Sequence, residues 1–158
     1  VDRILTERGF EPPMGTHIYP LGASPEHRFV VIFVRSGGKW IYTRAKDRDV
    51  WETAGGHMEP GETTLDAAKR ELWEETGLEL YEIDDFIGVS YSAVGFSNET
   101  NVCVVGKARG EFRASTSTVE EIEPGWYTKA QIRELLKTER FAARTQAAFA
   151  TSIAPEDP

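Results

Sequence analysis

The chain has 158 residues, 26 of them acidic and 18 basic, for a formal net charge of −8; 40% are apolar and 11% aromatic. That length and apolar content predict one domain, residues 1–158, with a sizeable core, and exclude a disordered chain. The acidic balance argues against a protein that coats a nucleic acid polymer or an anionic membrane, since both need a basic footprint.

A single cysteine, Cys103, excludes an intramolecular disulfide and any multi-thiolate metal site. It lies in the apolar run Val102-Cys103-Val104-Val105, which predicts a buried, inert thiol. No run approaches the roughly 18 apolar residues of a membrane span, and no basic-then-apolar signal segment opens the sequence. A cytoplasmic, reduced setting is the expectation.

Strand signals dominate the first third. Arg28 to Arg35 (RFVVIFVR) is β-branched and aromatic, ends at Ser36-Gly37-Gly38, and is followed directly by Lys39 to Arg44 (KWIYTR); the pair predicts a hairpin. Val50 to Thr53 predicts a short extended piece before Gly55-Gly56. Two more strands are expected at Asp85 to Ala93 and Thr100 to Lys107, joined by a polar loop, and a last one at Gly125 to Thr128. The clearest helix spans Thr64 to Thr76, with Leu65, Ala68, Leu72 and Thr76 on one stripe at the 3.6-residue period. Thr63 with Asp66 resembles a capping box, and Gly77 stands where a left-handed cap belongs. Further helices are expected over Lys129 to Lys137 and Glu139 to Ala150. The class is α/β, a mixed sheet with helices packed on it.

The helix before Gly77 concentrates charge. With Glu71 at zero on a helical wheel, Glu74 falls at about −60° and Glu75 at about +40°, so three carboxylates share an arc of roughly 100° beside the apolar stripe. At this spacing they repel one another. Arg70 can pair with Glu74 at i+4 but cannot neutralise all three. A solvated acidic face satisfies this pattern, and so does a site for a hard divalent cation, which takes carboxylate oxygens and leaves positions for phosphate oxygens. Between Gly56 and Leu78 six acids stand against two bases, a local −4 that is half the net charge of the chain. The glycines of the preceding loop, Gly55 and Gly56, allow close approach of the backbone to a metal or phosphate.

Gly56, Glu62, Arg70, Glu71, Leu72, Glu74, Glu75, Gly77 and Leu78 match without departure the box Gly-x5-Glu-x7-Arg-Glu-U-x-Glu-Glu-x-Gly-U, where U is aliphatic. On that match the chain is identified as resembling the Nudix hydrolases. The resemblance implies an α/β/α sandwich around a central mixed β-sheet. It also implies Mg²⁺-dependent cleavage of a phosphoanhydride bond in a small nucleoside diphosphate derivative, with Mn²⁺ as a possible substitute. By position, Glu71, Glu74 and Glu75 would be metal ligands, joined by a carbonyl of Gly55 or Gly56. Arg70 would orient the glutamates, and Glu62 would support the loop or bind a further metal.

The general base lies inside or outside the box in different branches of the family, which makes Glu99, Glu120 and Glu121 external candidates. Val94-Gly95-Phe96-Ser97-Asn98-Glu99 resembles the Pro-Gly-Phe-Ser-(Asn/Asp)-Glu loop of ADP-ribose pyrophosphatases, with Val94 in place of the proline. An ADP-ribose-like substrate is therefore expected first, a nucleoside triphosphate such as 8-oxo-dGTP second, and a non-catalytic nucleotide sensor last. His57 and the run Arg44, Lys46 and Arg48 are weighed as phosphate contacts against solvated surface. Tyr19, Trp40, Phe96 and Trp126 are weighed as base-stacking rings against core. A homodimer is carried by family analogy alone.

Overall fold

The computed structural model describes residues 28–93, 97, 99–116 and 121–152. β1 (Arg28–Ser36) and β2 (Lys39–Ala45) form the expected hairpin. Gly37 and Gly38 take φ of 54° and 75°, which a two-residue turn of the primed type requires and a side chain disfavours. The two strands, however, pair only at Arg35–Trp40 and Ser36–Lys39 and then part. Into the gap run β3 (Val50–Glu52), on β2, and β4 (Gly55–His57), on β1. Ala54, between them, accepts from Ile32 N at 2.9 Å.

β5 (Glu79–Tyr91) and β6 (Thr100–Arg109) complete one side, and β7 (Ile122–Tyr127) pairs with β2 on the other. The order is β3-β2-β1-β6-β5, with β4 on β1 and β7 on β2. β1 runs parallel to β6 and antiparallel to its other neighbours, so the sheet is mixed. β5 begins six residues before the expected Asp85. Its acidic first half conceals the strand, and register shifts after Leu80, Ile83 and Ile87 break the two-residue alternation that would reveal it.

α1 (Thr64–Thr76) has the expected bounds. Thr63 Oγ1 accepts from Asp66 N at 3.2 Å, and Gly77 closes the helix at φ 77°. α2 (Lys129–Thr138) opens with a complete capping box from Thr128 and Gln131. α3 (Ala143–Ser152) starts four residues later than the expected Glu139. The reason is that Glu139 caps α2 and residues 140–142 are recruited to the sheet. Trp51 N donates to Arg140 O at 2.8 Å, Ala142 N donates to Trp51 O at 2.9 Å, and Phe141 bridges Trp51. Those backbone groups have no partner left for a helix.

Neighbouring strand residues point to opposite faces, and the core divides accordingly. Ile41 joins Val30, Ile32, Val34 and Val104 against Ala67, Ala68 and Leu72 of α1. Tyr42, one residue on, joins Trp51 against Ile132 of α2 and Phe149 of α3. Trp126 and Tyr127 of β7 divide in the same way. Helices on both faces of a mixed sheet make the expected α/β/α sandwich. Leu72 is fully buried, and its truncation to Ala would cost about 2–5 kcal/mol, enough to loosen α1 from the sheet.

Candidate active site

α1 packs through Leu72, and that fixes the direction of its acidic arc toward β4. Arg70 is the hub. Its Nε and Nη2 donate to the two carboxylate oxygens of Glu62 at 2.8 and 2.9 Å, a bidentate fork. Nη1 donates to Glu71 Oε1 at 2.7 Å and to Glu74 Oε2 at 3.3 Å, and Nη2 also reaches the His57 carbonyl at 3.0 Å. The i+4 pair with Glu74 is present, but the principal partner is Glu62. Glu62 also accepts from Glu59 N at 2.9 Å, which ties the loop 59–62 into the hub.

Glu71 lies against Gly56: a Cβ on that glycine would overlap the carboxylate directly. Gly55 is equally constrained, since a Cβ there would overlap the Val30 carbonyl across the β1–β4 pairing, and its N–H donates to Glu75 Oε1 at 3.3 Å. Two glycines thus let two box glutamates touch the loop. Burial pushes the Glu71 carboxyl up from its ordinary value; Arg70 opposes this, and the charges of Glu74 and Glu62 add to the rise. The Arg70 fork holds the Glu62 carboxyl below its ordinary value.

Among the described residues, no three carboxylate, imidazole or thiolate side chains converge closely enough to hold an ion as they stand. Arg70 lies between Glu62, Glu71 and Glu74 instead. The donor set nonetheless fits a hard divalent cation: carboxylate oxygens in excess of cations, one of them half-buried and resisting ionisation, in a cradle that a single Cβ would fill.

Glu99 stands immediately before β6. Its carboxylate accepts from Ser92 Oγ, and it lies 3.8 Å from His57 Nε2 and 3.9 Å from Arg144 Nη1. His57 follows Gly56 directly, so Glu99 contacts the residue next to the first glycine of the box. The His57 ring stands edge-on to Phe29 at 5.1 Å, and Arg144 lies 4.4 Å over the Phe29 ring. Beside Glu99 opens a cleft of about 530 Å³, lined among others by Phe33, Tyr91, Ser92, Asn101, Cys103 and Arg144. Asn101 Nδ2 donates to Ser92 Oγ at 2.8 Å, while its Oδ1 is buried without a donor. Cys103 is half-buried rather than sealed in the core, and burial raises its thiol.

Other expected residues lie elsewhere. Glu121 pairs with Lys46, just past the end of β2. Arg44 pairs with Asp49, and Arg48 approaches Asp47 and Glu52, so the basic run is engaged in local surface pairs. Trp40 and Trp126 pack against the two core clusters. Val94, Gly95, Phe96, Asn98, Glu120, His17, Tyr19 and His27 lie outside the described residues. Sequence reasoning missed Phe29, Ser92, Asn101 and Arg144, which carry no local motif and acquire a role only when distant segments meet.

A family model for the NUDIX domain matches residues 18–149. The chain belongs to the Nudix family. It is 30% identical to a MutT-like protein of Streptomyces ambofaciens over 105 residues, 65% of this chain and 64% of that protein. Over 58 residues, 37% of this chain and 35% of the relative, it is 47% identical to YtkD of Bacillus subtilis, named for diphosphatase action on 8-oxo-dGTP. The matches therefore span less than two thirds of these relatives' own lengths. A NUDIX hydrolase from Nitrosomonas europaea superposes with a TM-score of 0.66 at 18% identity, over 82% of this chain and 90% of that one, a likeness of fold. Among the described residues no helix is long and apolar enough to cross a membrane.

Proposed function

We propose that this Nudix chain hydrolyses a phosphoanhydride bond in a small nucleoside diphosphate derivative, ADP-ribose or a relative of it, with Mg²⁺ as cofactor, and acts in the cytoplasm. The observation that supports this reading is that Glu71 and Glu75 touch the Gly55-Gly56 loop, while Glu99 lies 3.8 Å from the side chain of His57, the next residue. Glu71, Glu74, Glu75 and a Gly55 or Gly56 carbonyl would hold the cation. When bound, it would offset the charge of the diphosphate and polarise its phosphoryl oxygens.

The chain's own residues then have distinct tasks. Arg70 keeps Glu71 and Glu74 in place and fastens the loop through Glu62 and the His57 carbonyl. Glu62 has both oxygens engaged, which favours its supporting role over that of a ligand. Glu99 accepts the proton of the attacking water, since it is held by Ser92 and lies 3.9 Å from Arg144, two residues that line the cleft. The cleft takes the group beyond the diphosphate: aromatic and aliphatic walls cover a flat ring, and Asn101 and Arg144 supply polar contacts.

The second reading, a nucleoside triphosphate pyrophosphohydrolase, is favoured by the similarity to YtkD. Turnover of ADP-ribose, sugar nucleotides, dinucleoside polyphosphates and oxidised deoxynucleoside triphosphates under Mg²⁺ separates the two. The first reading expects ADP-ribose-like substrates to lead in kcat/KM; triphosphates leading by tenfold or more would replace it with the second.

A further inference from the structure

The last turn of α1 holds Glu74 and Glu75, and it is an unfavourable place for them. Carboxylates oppose the partial negative charge at a helix C-terminus, and at i+3 and i+4 from Glu71 the two also repel that residue. The turn has no basic residue of its own, and Arg70 reaches it through Glu74 at 3.3 Å. Its backbone is short of donors as well. Gly77 N closes on Trp73 O at 2.8 Å, but Leu78 N turns aside to Thr76 Oγ1 at 3.2 Å. The helix therefore leaves the carbonyls of Glu74 and Thr76 to be satisfied from outside. Such a turn frays unless something holds it.

The holding groups come from residues 110–116, the segment that leaves β6. Arg113 N donates to Thr76 O at 3.0 Å, and Thr116 N donates to Glu74 O at 2.9 Å, with Thr116 Oγ1 on the same carbonyl at 3.3 Å. The Arg113 guanidinium lies 4.5 Å over the ring of Trp73, which is 45% exposed, and so brings a cation to a turn that has none of its own. Gly77 permits the close approach, since a Cβ there would stand 2.7 Å from Arg113 Cγ and 3.0 Å from Arg113 N.

We propose that residues 110–116 are a strap that keeps the last turn of α1 in the geometry a divalent cation needs, with Arg113 and Thr116 as positioning residues. The inference rests on the reading of Glu71, Glu74 and Glu75 as cation ligands. Its physical content is preorganisation: without the strap, ion binding would first have to order the turn, and that cost would appear as lost affinity. The strap grips Glu74 by its carbonyl and leaves the carboxylate to Arg70 or to an ion.

Titration of the full chain with Mn²⁺, followed by the loss of the free-ion signal in electron paramagnetic resonance, tests this with no substrate and no turnover. Thr116→Pro removes both donors to Glu74 O, and Trp73→Ala removes the ring under Arg113 while raising helix propensity. Each should raise the Mn²⁺ dissociation constant by about tenfold, as expected of residues that hold ligands rather than supply them, with an unchanged circular dichroism spectrum. Thr116→Ser keeps both donors and should bind within about twofold of wild type. Wild-type affinity in both Thr116→Pro and Trp73→Ala overturns the strap and leaves the cation reading standing. So does a loss in Thr116→Ser as large as that in Thr116→Pro. A wild-type chain that binds no Mn²⁺, or binding that Glu75→Gln leaves unchanged, overturns the cation reading and the strap with it.

Discussion

Two charge-dense segments of this chain meet opposite ends. In α1 and its loop, Glu62, Glu71 and Glu74 converge on one guanidinium, with Glu62 and Glu71 mostly shielded from water. At the end of β2 and in the turn after it, Arg44, Lys46 and Arg48 pair with Asp49, Glu121, Glu123, Asp47 and Glu52 near the surface. Both are clusters on a sequence scale. What separates them is packing: α1 is held against the sheet by Leu72, and Gly56 lets the loop close on Glu71. Exposed pairs in high dielectric hold little energy, whereas charges driven together under partial burial raise one another's ionisation cost and so favour a cation.

The sharpest way to break this contrast is to neutralise one acid in each cluster. Glu75→Gln should lower kcat by about 10²–10⁴-fold, while Glu121→Gln should leave it within twofold; steady-state kinetics under saturating Mg²⁺ decide. If both variants kept full turnover, the box would not be the catalytic centre. Gly56→Ala comes next. The added methyl must displace Glu71, and a loss of about tenfold or more in kcat/KM is expected with the secondary structure retained.

Smaller again is Arg70→Ala. It leaves Glu62 and Glu71 without their fork and should cost about 1–3 kcal/mol in denaturant unfolding, whereas Arg44→Ala in the exposed cluster should leave the midpoint unchanged. The smallest effect isolates burial from charge pairing. Burial raises the Cys103 thiol above 9.0, and Arg144 opposes the rise. The folded thiol therefore keeps its proton longer than the unfolded one, and its contribution to stability is lost as pH climbs through the folded value. Alkylation followed by mass spectrometry should show a rate still climbing with pH at 9.0 in the native chain, and levelling off later still in Arg144→Ala.

α1 was legible in the sequence because its apolar period, cap and left-handed glycine agree, and nothing long-range overrides them. The box glutamates were legible for the same reason: their geometry is set within four residues. The early start of β5 was not, because bulges disguise its alternation. Nor was the extended stretch at residues 140–142, whose backbone partner Trp51 lies some ninety positions away in sequence. Asn101, Ser92 and Arg144 form one cluster only after β5, β6 and α3 have assembled, so no local window contains them. Lys46 and Glu121 show the converse: a basic run with phosphate-binding composition was legible, but its partners, and hence its engagement, were not.

The parting of β1 and β2 has a kinetic corollary. Because Ala54 fills the space between the strands and accepts the Ile32 amide at 2.9 Å, the glycine loop is seated by the sheet's own ladder. Ile32 is fully buried, so its amide proton can reach water only when that seat opens. Deuterium uptake at this one position is therefore a clock for excursions of the loop, readable before any substrate is found.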